Sequence, residues 1–570
     1  MKQFNRTSDA AKFIFKIFLL AVTLAFMTGT SLSQYFLKSY DFAPVGTRTD
    51  YGYSIERNFD GTLTGRWSVA GVSNSTPGAG SYDWMFLKLT NTGSVVCSSR
   101  LGFGLADSCF SHLQFSANQR RNVLAGFYRA PNGREKASFS FLDTNCFHIL
   151  SKQVMDTLRS EYRQVVKNSY DNFTMAGYIE NFNPGMPVTK HILASQYTAA
   201  GGLLWSFNYI PPFPWVDERA YSICFQPLDS SYAITGITNR FTGAGGPYQA
   251  FVMKINSAGF PVWYKGYSPA PGMPAEGKKI IPMTDGGFVV TGTSTAFDPL
   301  GDIYTFRISA AGIVMWSNTY GMPGVAEKSE SIIFRPADMS LVYTGSATLT
   351  GGTEDIILSK ISSAGGAPIW TKRYFNTSGA DLGYDLKEAS TPSGFAVTGK
   401  FYHSSSVSLD PFFLKTDASG NVSAVCQDST MFQPRPGFWS GDCARNILQL
   451  SDITIQPAVY NTTPVERVHC GTLTGMNSGN EIAEEFSLEQ NYPNPFNPST
   501  VIKFAIPNSG VVQITVFDAS GREVSSLVNG YMNKGIHTVE FNAAGLSSGV
   551  YFYKIKTEGF VETKKMLLVK

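Results

Sequence analysis

An apolar run closing on Ala-Gly or Thr-Gly recurs seven times between residues 50 and 430, and this recurrence constrains the fold more than any other feature. The copies are Val69-Ala70-Gly71, Leu124-Ala125-Gly126, Met175-Ala176-Gly177, Ile234-Thr235-Gly236, Val290-Thr291-Gly292, Tyr343-Thr344-Gly345 and Val397-Thr398-Gly399. Successive glycines stand 55, 51, 59, 56, 53 and 54 residues apart, room for four short strands and their turns. A second marker keeps the same phase. Lys88, Lys254, Arg307, Lys360 and Lys415 each precede a Gly-containing turn, and Trp263, Trp316 and Trp370 follow it, with Cys97 in the corresponding place of the first copy. Trp205 marks the third copy, while Phe141-Leu142-Asp143 replaces the cationic strand in the second.

Each unit reads as strand A (53–58 in the first copy), a tight turn, and strand B ending in the glycine. A longer loop, strand C with its cation, a second tight turn and strand D with its tryptophan complete it. Such a sheet cannot bury both faces alone, so neighbouring units must stack. The expectation is an all-β chain whose residues 34–430 form a seven-bladed β-propeller of four-stranded blades; an open twisted solenoid of the same units is the alternative. The units resemble bacterial propeller repeats of the delta-60 or SBBP type through Lys-x-x-x-x-Gly-x-x-x-Trp. Residues 35–40 match a D strand but precede the first A strand, so they can pair with the last unit and cover its edge. Residues 421–427 compete for that place. Residues 431–484 break the period and read as a connector, with an apolar stretch at 447–459 able to add a short hairpin. In residues 485–570, alternating runs separated by Gly, Asn and Ser turns predict a small immunoglobulin-like β-sandwich.

The two ends concern delivery. Lys2, Arg6, Lys12 and Lys16 precede an eleven-residue apolar core at 17–27, and Ser31 and Ser33 supply small residues before Gln34. Residues 1–33 are therefore expected to be a signal peptide cut between Ser33 and Gln34, leaving no membrane span in the mature chain. At the other end stand Tyr492-Pro493-Asn494-Pro495-Phe496-Asn497-Pro498, then Gly521, Gly549, Tyr551, Lys564 and Lys565 in a fixed order. The prolines cannot donate ladder hydrogen bonds, which marks an extended lead-in. In order and spacing the segment resembles the type A C-terminal sorting domain of the type IX secretion system of Bacteroidetes. That resemblance implies passage through the periplasm to the outer cell surface or the medium. It also implies recognition by the translocon and sorting machinery, and release or attachment to surface lipopolysaccharide.

Charged residues make up 16% and aromatics 14% of the chain, with 54 glycines and a net charge of +3, which predicts no nucleic-acid partner. Of seven cysteines, Cys97/Cys109 and Cys426/Cys443 are the plausible nearby pairs. The long B–C loops (72–82, 127–136, 178–190, 237–248 and 400–409) share one face of the units, and that face is the candidate site. Asp83, Asp302, Asp355 and Asp410 recur there five residues before the strand C cation. They read either as a calcium-holding ring of carboxylates or as local turn caps; no cofactor is otherwise implied. Tyr82, Phe213, Trp215, Tyr248 and Phe297 are loop aromatics of the type that stacks on sugar rings or anchors a loop. The six histidines share no motif and no nucleophile elbow occurs, so no catalytic residue is assigned. The expected function is a secreted or surface-held binding and adhesion scaffold for a glycan or protein. The alternatives are a carbohydrate-active enzyme with dispersed carboxylates and a passive matrix component.

Overall fold

The computed structural model describes residues 36–41 and 49–569, apart from 59–65, 75–81, 103–104, 116–120, 131, 157, 183–184, 186, 212, 323, 349–352, 375–378, 391–392, 404–407, 423–427, 430–432, 437–438, 443–445, 450, 456–457, 461–464, 471–485, 492–493, 509, 533–534 and 558. Between residues 428 and 470 it describes strand backbones alone. The signal segment with Ser33 and Gln34, the motif residues Tyr492 and Pro493, and the Cys426/Cys443 pair lie outside the described residues. The chain divides into two compact units, residues 1–472 and 473–570.

Among the described residues of the first unit, the strands form seven antiparallel sheets. Their inner strands, numbered here as sheets 1 to 7, are Asp50–Asn58, Ser108–Gln114, Ser160–Lys167, Glu218–Gln226, Lys279–Pro282, Ala326–Arg335 and Leu382–Ser390. Each inner strand packs against the next, and that of sheet 7 packs against that of sheet 1, a propeller-like arrangement. Sheets 1 to 6 each take four consecutive strands. Sheet 7 takes three, and Phe36–Asp41 supplies the fourth beside Ser408–Asp417, with Lys38 opposite Phe413. The core lies between the sheets in successive layers. Ile55, Trp67, Met85 and Phe413 fill the junction of sheets 7 and 1; Phe139, Phe173, Met175 and Tyr197 fill that of sheets 2 and 3.

Residues 431–484 are not a plain connector, which corrects the expectation from sequence. Short strands between Asp428 and Cys470 add a fifth, outermost strand to every sheet, in the order 6, 5, 4, 3, 2, 1, 7. Thus Gln433–Pro436 pairs with Val314–Gly321 and Val465–Cys470 with Phe36–Asp41. Pro434 and Pro436 are tolerated because an outermost strand needs donors on one side only.

The outer strands also bind each sheet to its neighbour. Tyr40, Tyr209, Tyr267, Tyr320 and Tyr374 donate to the carbonyls of Gly93, Gly259, Gly312, Gly366 and Gly420 in the next sheet's C–D turn, at 2.6–2.9 Å. Trp205, Trp263 and Trp316 donate to Ser257, Ala310 and Ser363 in the same turns, at 3.0–3.1 Å. Three of the five strand C cations reach these turns as well: Lys88 donates to Thr144 at 2.9 Å, Arg307 to Ser363 at 2.9 Å and Lys415 to Asn91 at 2.7 Å, whereas Lys254 and Lys360 pair with Asp229 and Asp338. Between sheets 1 and 2 a Cys97–Cys146 disulfide takes the tryptophan's place. The Cys97/Cys109 pairing is thereby corrected. Cys97 sits at the rim against the next sheet's turn, whereas Cys109 lies on an inner strand, buried and unbridged.

The second unit has a three-stranded sheet (Ser487–Leu488, Ser499–Ile506, Gly535–Asn542) and a four-stranded sheet (Glu523–Met532, Gly510–Asp518, Gly549–Thr557, Phe560–Leu568). Ile502, Phe504, Val512, Ile514, Tyr553 and Met566 share one core between them.

Candidate functional site

The seven repeated glycines mark seven distortions of the inner strands. In sheet 1 Gly52 pairs with Gly71 and Ser54 with Ala70, so Tyr53 is an extra residue, a β-bulge. The same two-for-one register leaves out Phe110, Arg163, Tyr221, Glu330 and Tyr384 in sheets 2, 3, 4, 6 and 7. Lys278 takes that position in sheet 5, its N–H bonded to Thr291 at 2.8 Å. The bulge presses the inner backbone onto strand B. A Cβ at Gly71, Gly126, Gly177, Gly236, Gly292, Gly345 or Gly399 would meet a backbone carbonyl oxygen at 1.7–2.0 Å. Only glycine fits.

A bulge re-aims its side chain, and here all seven side chains turn toward the axis, where they line a cavity of about 290 Å³. Its wall has two chemically distinct parts. Tyr384, Tyr53 and Phe110 form an aromatic arc, with centroids 4.8 Å and 5.4 Å apart. Arg163, Tyr221, Lys278 and Glu330 form an ionic arc. The Arg163 guanidinium lies 4.0 Å from the Phe110 centroid, pairs with Glu161 and donates to the Tyr178 hydroxyl at 3.2 Å. Lys278 lies 4.8 Å from the Tyr221 centroid and 3.3 Å from Glu276. Burial pushes the Glu330 carboxyl above the ordinary range, against the pull of Lys278. Burial favours the deprotonated form of Lys278, but the carboxylates of Glu330 and Glu276 outweigh it and hold the ammonium charged. Burial also raises the phenols of Tyr53 and Tyr384, which stay protonated donors.

One residue deeper, side chains tie the sheets together. Asp385 accepts from the Ile55 N–H at 3.0 Å and the Ser331 hydroxyl at 2.8 Å. Ser54 accepts from the His112 N–H, Ser111 from the Val165 N–H and Ser222 from the Ile280 N–H, at 3.1–3.2 Å. Ser222 donates to Gln164 at 2.7 Å, and Lys279 approaches Asp385 at 3.7 Å. Burial works to raise the Asp385 carboxyl, yet Lys279 and Lys387 hold it below the usual range. His112 is pulled down to about 3 by burial, so its ring is neutral.

The four aspartates read from sequence are not gathered. Asp83, Asp302, Asp355 and Asp410 are buried at the starts of strands in four separate sheets, and Asp355 pairs with Arg373 at 3.0 Å. Among the described residues no group of three His, Cys, Asp or Glu could hold a metal. Of the loop aromatics, Tyr82 stacks on Tyr51 with centroids 6.5 Å apart, and the Tyr248 hydroxyl donates to Asp217 at 2.5 Å. Phe213 and Trp215 stack on each other at 5.5 Å, and Phe297 is exposed. Sequence reasoning missed the axial residues themselves, although each lies 14 to 18 positions before its glycine.

In the second unit the lead-in is held against the last strand. Asn494 accepts from the Leu567 N–H at 2.9 Å, and buried Phe496 exchanges backbone hydrogen bonds with Leu567 and Val569 at 3.0 Å. Pro495 and Pro498 follow cis peptide bonds. Gly521 takes positive φ in the turn after Gly510–Asp518, Gly549 opens its strand, and the Tyr551 hydroxyl donates to Ser547 at 2.8 Å. Lys564 pairs with Glu562 at 3.0 Å, and the Lys565 carbonyl accepts from Gln490 at 2.7 Å. Residues 490–570 match the family model described as the secretion system C-terminal sorting domain. The tail is a type IX sorting domain. It engages the type IX secretion machinery and directs export through the periplasm to the cell surface or the extracellular space. No curated protein matches the chain. Among solved structures, a glucose dehydrogenase is similar at 11% identity and TM-score 0.31, covering 67% of this chain and 99% of its own. PorZ, a surface component of the type IX system of Porphyromonas gingivalis, is similar at 9% identity and TM-score 0.18, covering 93% and 100%. Sucrose-6-phosphate hydrolase from Lactobacillus gasseri is similar at 10% identity and TM-score 0.25, covering 73% and 94%.

Proposed function

We propose that this chain is an exported binding protein, a seven-bladed β-propeller whose axial cavity holds a glycan and whose immunoglobulin-like tail delivers it. A signal peptide at 1–33, cut between Ser33 and Gln34, opens the route, and attachment to surface lipopolysaccharide keeps the body at the cell. The observation that carries the reading is the convergence of seven side chains at one repeated position, of five residue types, on one cavity. Aromatic faces suit the C–H faces of a sugar ring, and Arg163, Lys278 and Glu330 offer charge-assisted hydrogen bonds to hydroxyls. A binder is favoured over a hydrolase by the carboxylates. Glycoside cleavage uses two free carboxyl groups, whereas Asp385, the other carboxyl that lines the cavity, already accepts from Ile55 and Ser331.

The test is a glycan array read with the purified full-length chain, together with an assay for reducing-end release. Retention without turnover, lost in Glu330→Gln, is the expected result. Release of reducing ends that Glu330→Gln abolishes would assign an enzyme instead, and an array blank at every concentration would remove the glycan reading.

A further inference from the structure

We infer that the axial cavity takes the end of a glycan chain and not its interior; this rests on the reading of the cavity as a glycan site. The cavity has a floor. Beneath the bulged residues, Gln164 and Lys279 line both this cavity and a second one of about 270 Å³ farther along the axis, so they stand as the partition between the two. Lys279 reaches toward Asp385 two sheets away at 3.7 Å, and Gln164 accepts from Ser222 at 2.7 Å. The second cavity is walled by aliphatic side chains such as Val166, Ile223, Ile280 and Ile332 together with Lys167 and Lys387, whose ammonium groups pair with Asp171 at 4.0 Å and Glu56 at 2.7 Å. A sugar pushed past the partition would bury hydroxyls among aliphatic side chains with few partners, which is unfavourable. A chain therefore cannot thread the axis.

The way out is marked by rings. From Tyr384 and Tyr53 in the cavity wall the aromatic surface continues to Tyr51, 5.9 Å from Tyr53, and on to Tyr82, 6.5 Å from Tyr51 and nearly parallel to it. Tyr51 precedes Tyr53 by two residues on the inner strand, and Tyr82 closes the B–C loop of the same sheet. The Tyr82 hydroxyl is fixed against Thr49 Oγ1 at 3.0 Å. A cavity of about 290 Å³ is at the small end for ligand sites and accommodates one pyranose ring. The terminal residue thus sits among the seven axial side chains, and the second residue lies on Tyr51 and Tyr82 at the mouth.

The experiment takes cello-, manno-, xylo- and laminari-oligosaccharides of one to six residues, each uncapped, reduced at one end, or blocked by a ketal at the other. Binding to the full chain is measured by calorimetry. The inference predicts that one of the two caps abolishes binding and that affinity stops rising after the second residue. It also predicts that the gain of disaccharide over monosaccharide, roughly three- to tenfold for one stacking contact, falls to near unity in Tyr82→Ala and returns in Tyr82→Phe. Binding indifferent to both caps, or rising steadily to six residues, overturns end recognition while leaving the glycan reading intact. Failure of every oligosaccharide overturns both. The cap comparison needs only the unaltered protein, so it decides the matter even where Tyr82→Ala does not fold.

Discussion

At the outer rim of the seven sheets one contact is made repeatedly with the same residue types, whereas at the axis one position carries Tyr, Phe, Arg, Tyr, Lys, Glu and Tyr in turn. Both places are equally regular in backbone. At the rim, a tyrosine hydroxyl finds a carbonyl of the next turn at five junctions and a tryptophan N–H does so at three, so the side chain answers a structural need that these junctions share. At the axis the bulge and its glycine are fixed while the side chain is free to vary. Uniform residues at a repeated position therefore point to architecture, and unlike residues at a repeated position point to recognition.

Four substitutions sharpen that division, taken from the largest effect down. Asp385→Ala, one residue beyond an axial bulge, strands the buried Lys279 and the Ile55 N–H. It should cost about 3–5 kcal/mol in denaturant unfolding. That outcome would place the second axial ring with the rim, as structure. Removing the Cys97–Cys146 bridge by Cys97→Ser with Cys146→Ser opens a loop of 49 residues and should cost about 2–4 kcal/mol, with ligand affinity unchanged. Tyr267→Phe deletes one buried rim hydrogen bond to Gly312 and should cost about 1–2 kcal/mol. Glu330→Gln should do the opposite. Because burial raises the folded-state pKa of Glu330, the fold holds its proton more tightly than the unfolded chain does, and stability is lost as pH rises through that folded value. The variant should therefore melt slightly higher than the unaltered protein near pH 8, with the difference closing by about pH 4. A rim-like loss of stability in Glu330→Gln would break the comparison.

The parts of the fold written in side-chain patterns were legible from sequence. Seven Ala-Gly or Thr-Gly steps announce seven sheets, and residues 35–40 carry an outer strand's pattern; of the two segments that compete for the edge of the last sheet, Phe36–Asp41 takes it. Other parts are set by backbone or by neighbours in space. The fifth strands between Asp428 and Cys470 are held by main-chain hydrogen bonds at an edge and run two to six residues, too short for a period to show. The partner of Cys97 is set by which turn lies against the rim, not by distance along the chain. The axial residues were hidden because they share a position but run through five residue types. The glycines that reveal them were read as strand ends, when they record how closely a bulge approaches. The recurring aspartates show the converse: they share a type, but sit in four separate sheets.

The most direct test of the claim that bulged axial residues form the binding site is a paired titration. The glycan retained on the array is titrated calorimetrically into the unaltered chain, Glu330→Gln and Tyr267→Phe, and the melting temperature of each is recorded. The account predicts that Glu330→Gln loses affinity by about tenfold or more with its melting temperature kept or raised, while Tyr267→Phe melts lower and binds as before. Unchanged affinity in Glu330→Gln, or the same loss of affinity in both variants, would contradict it.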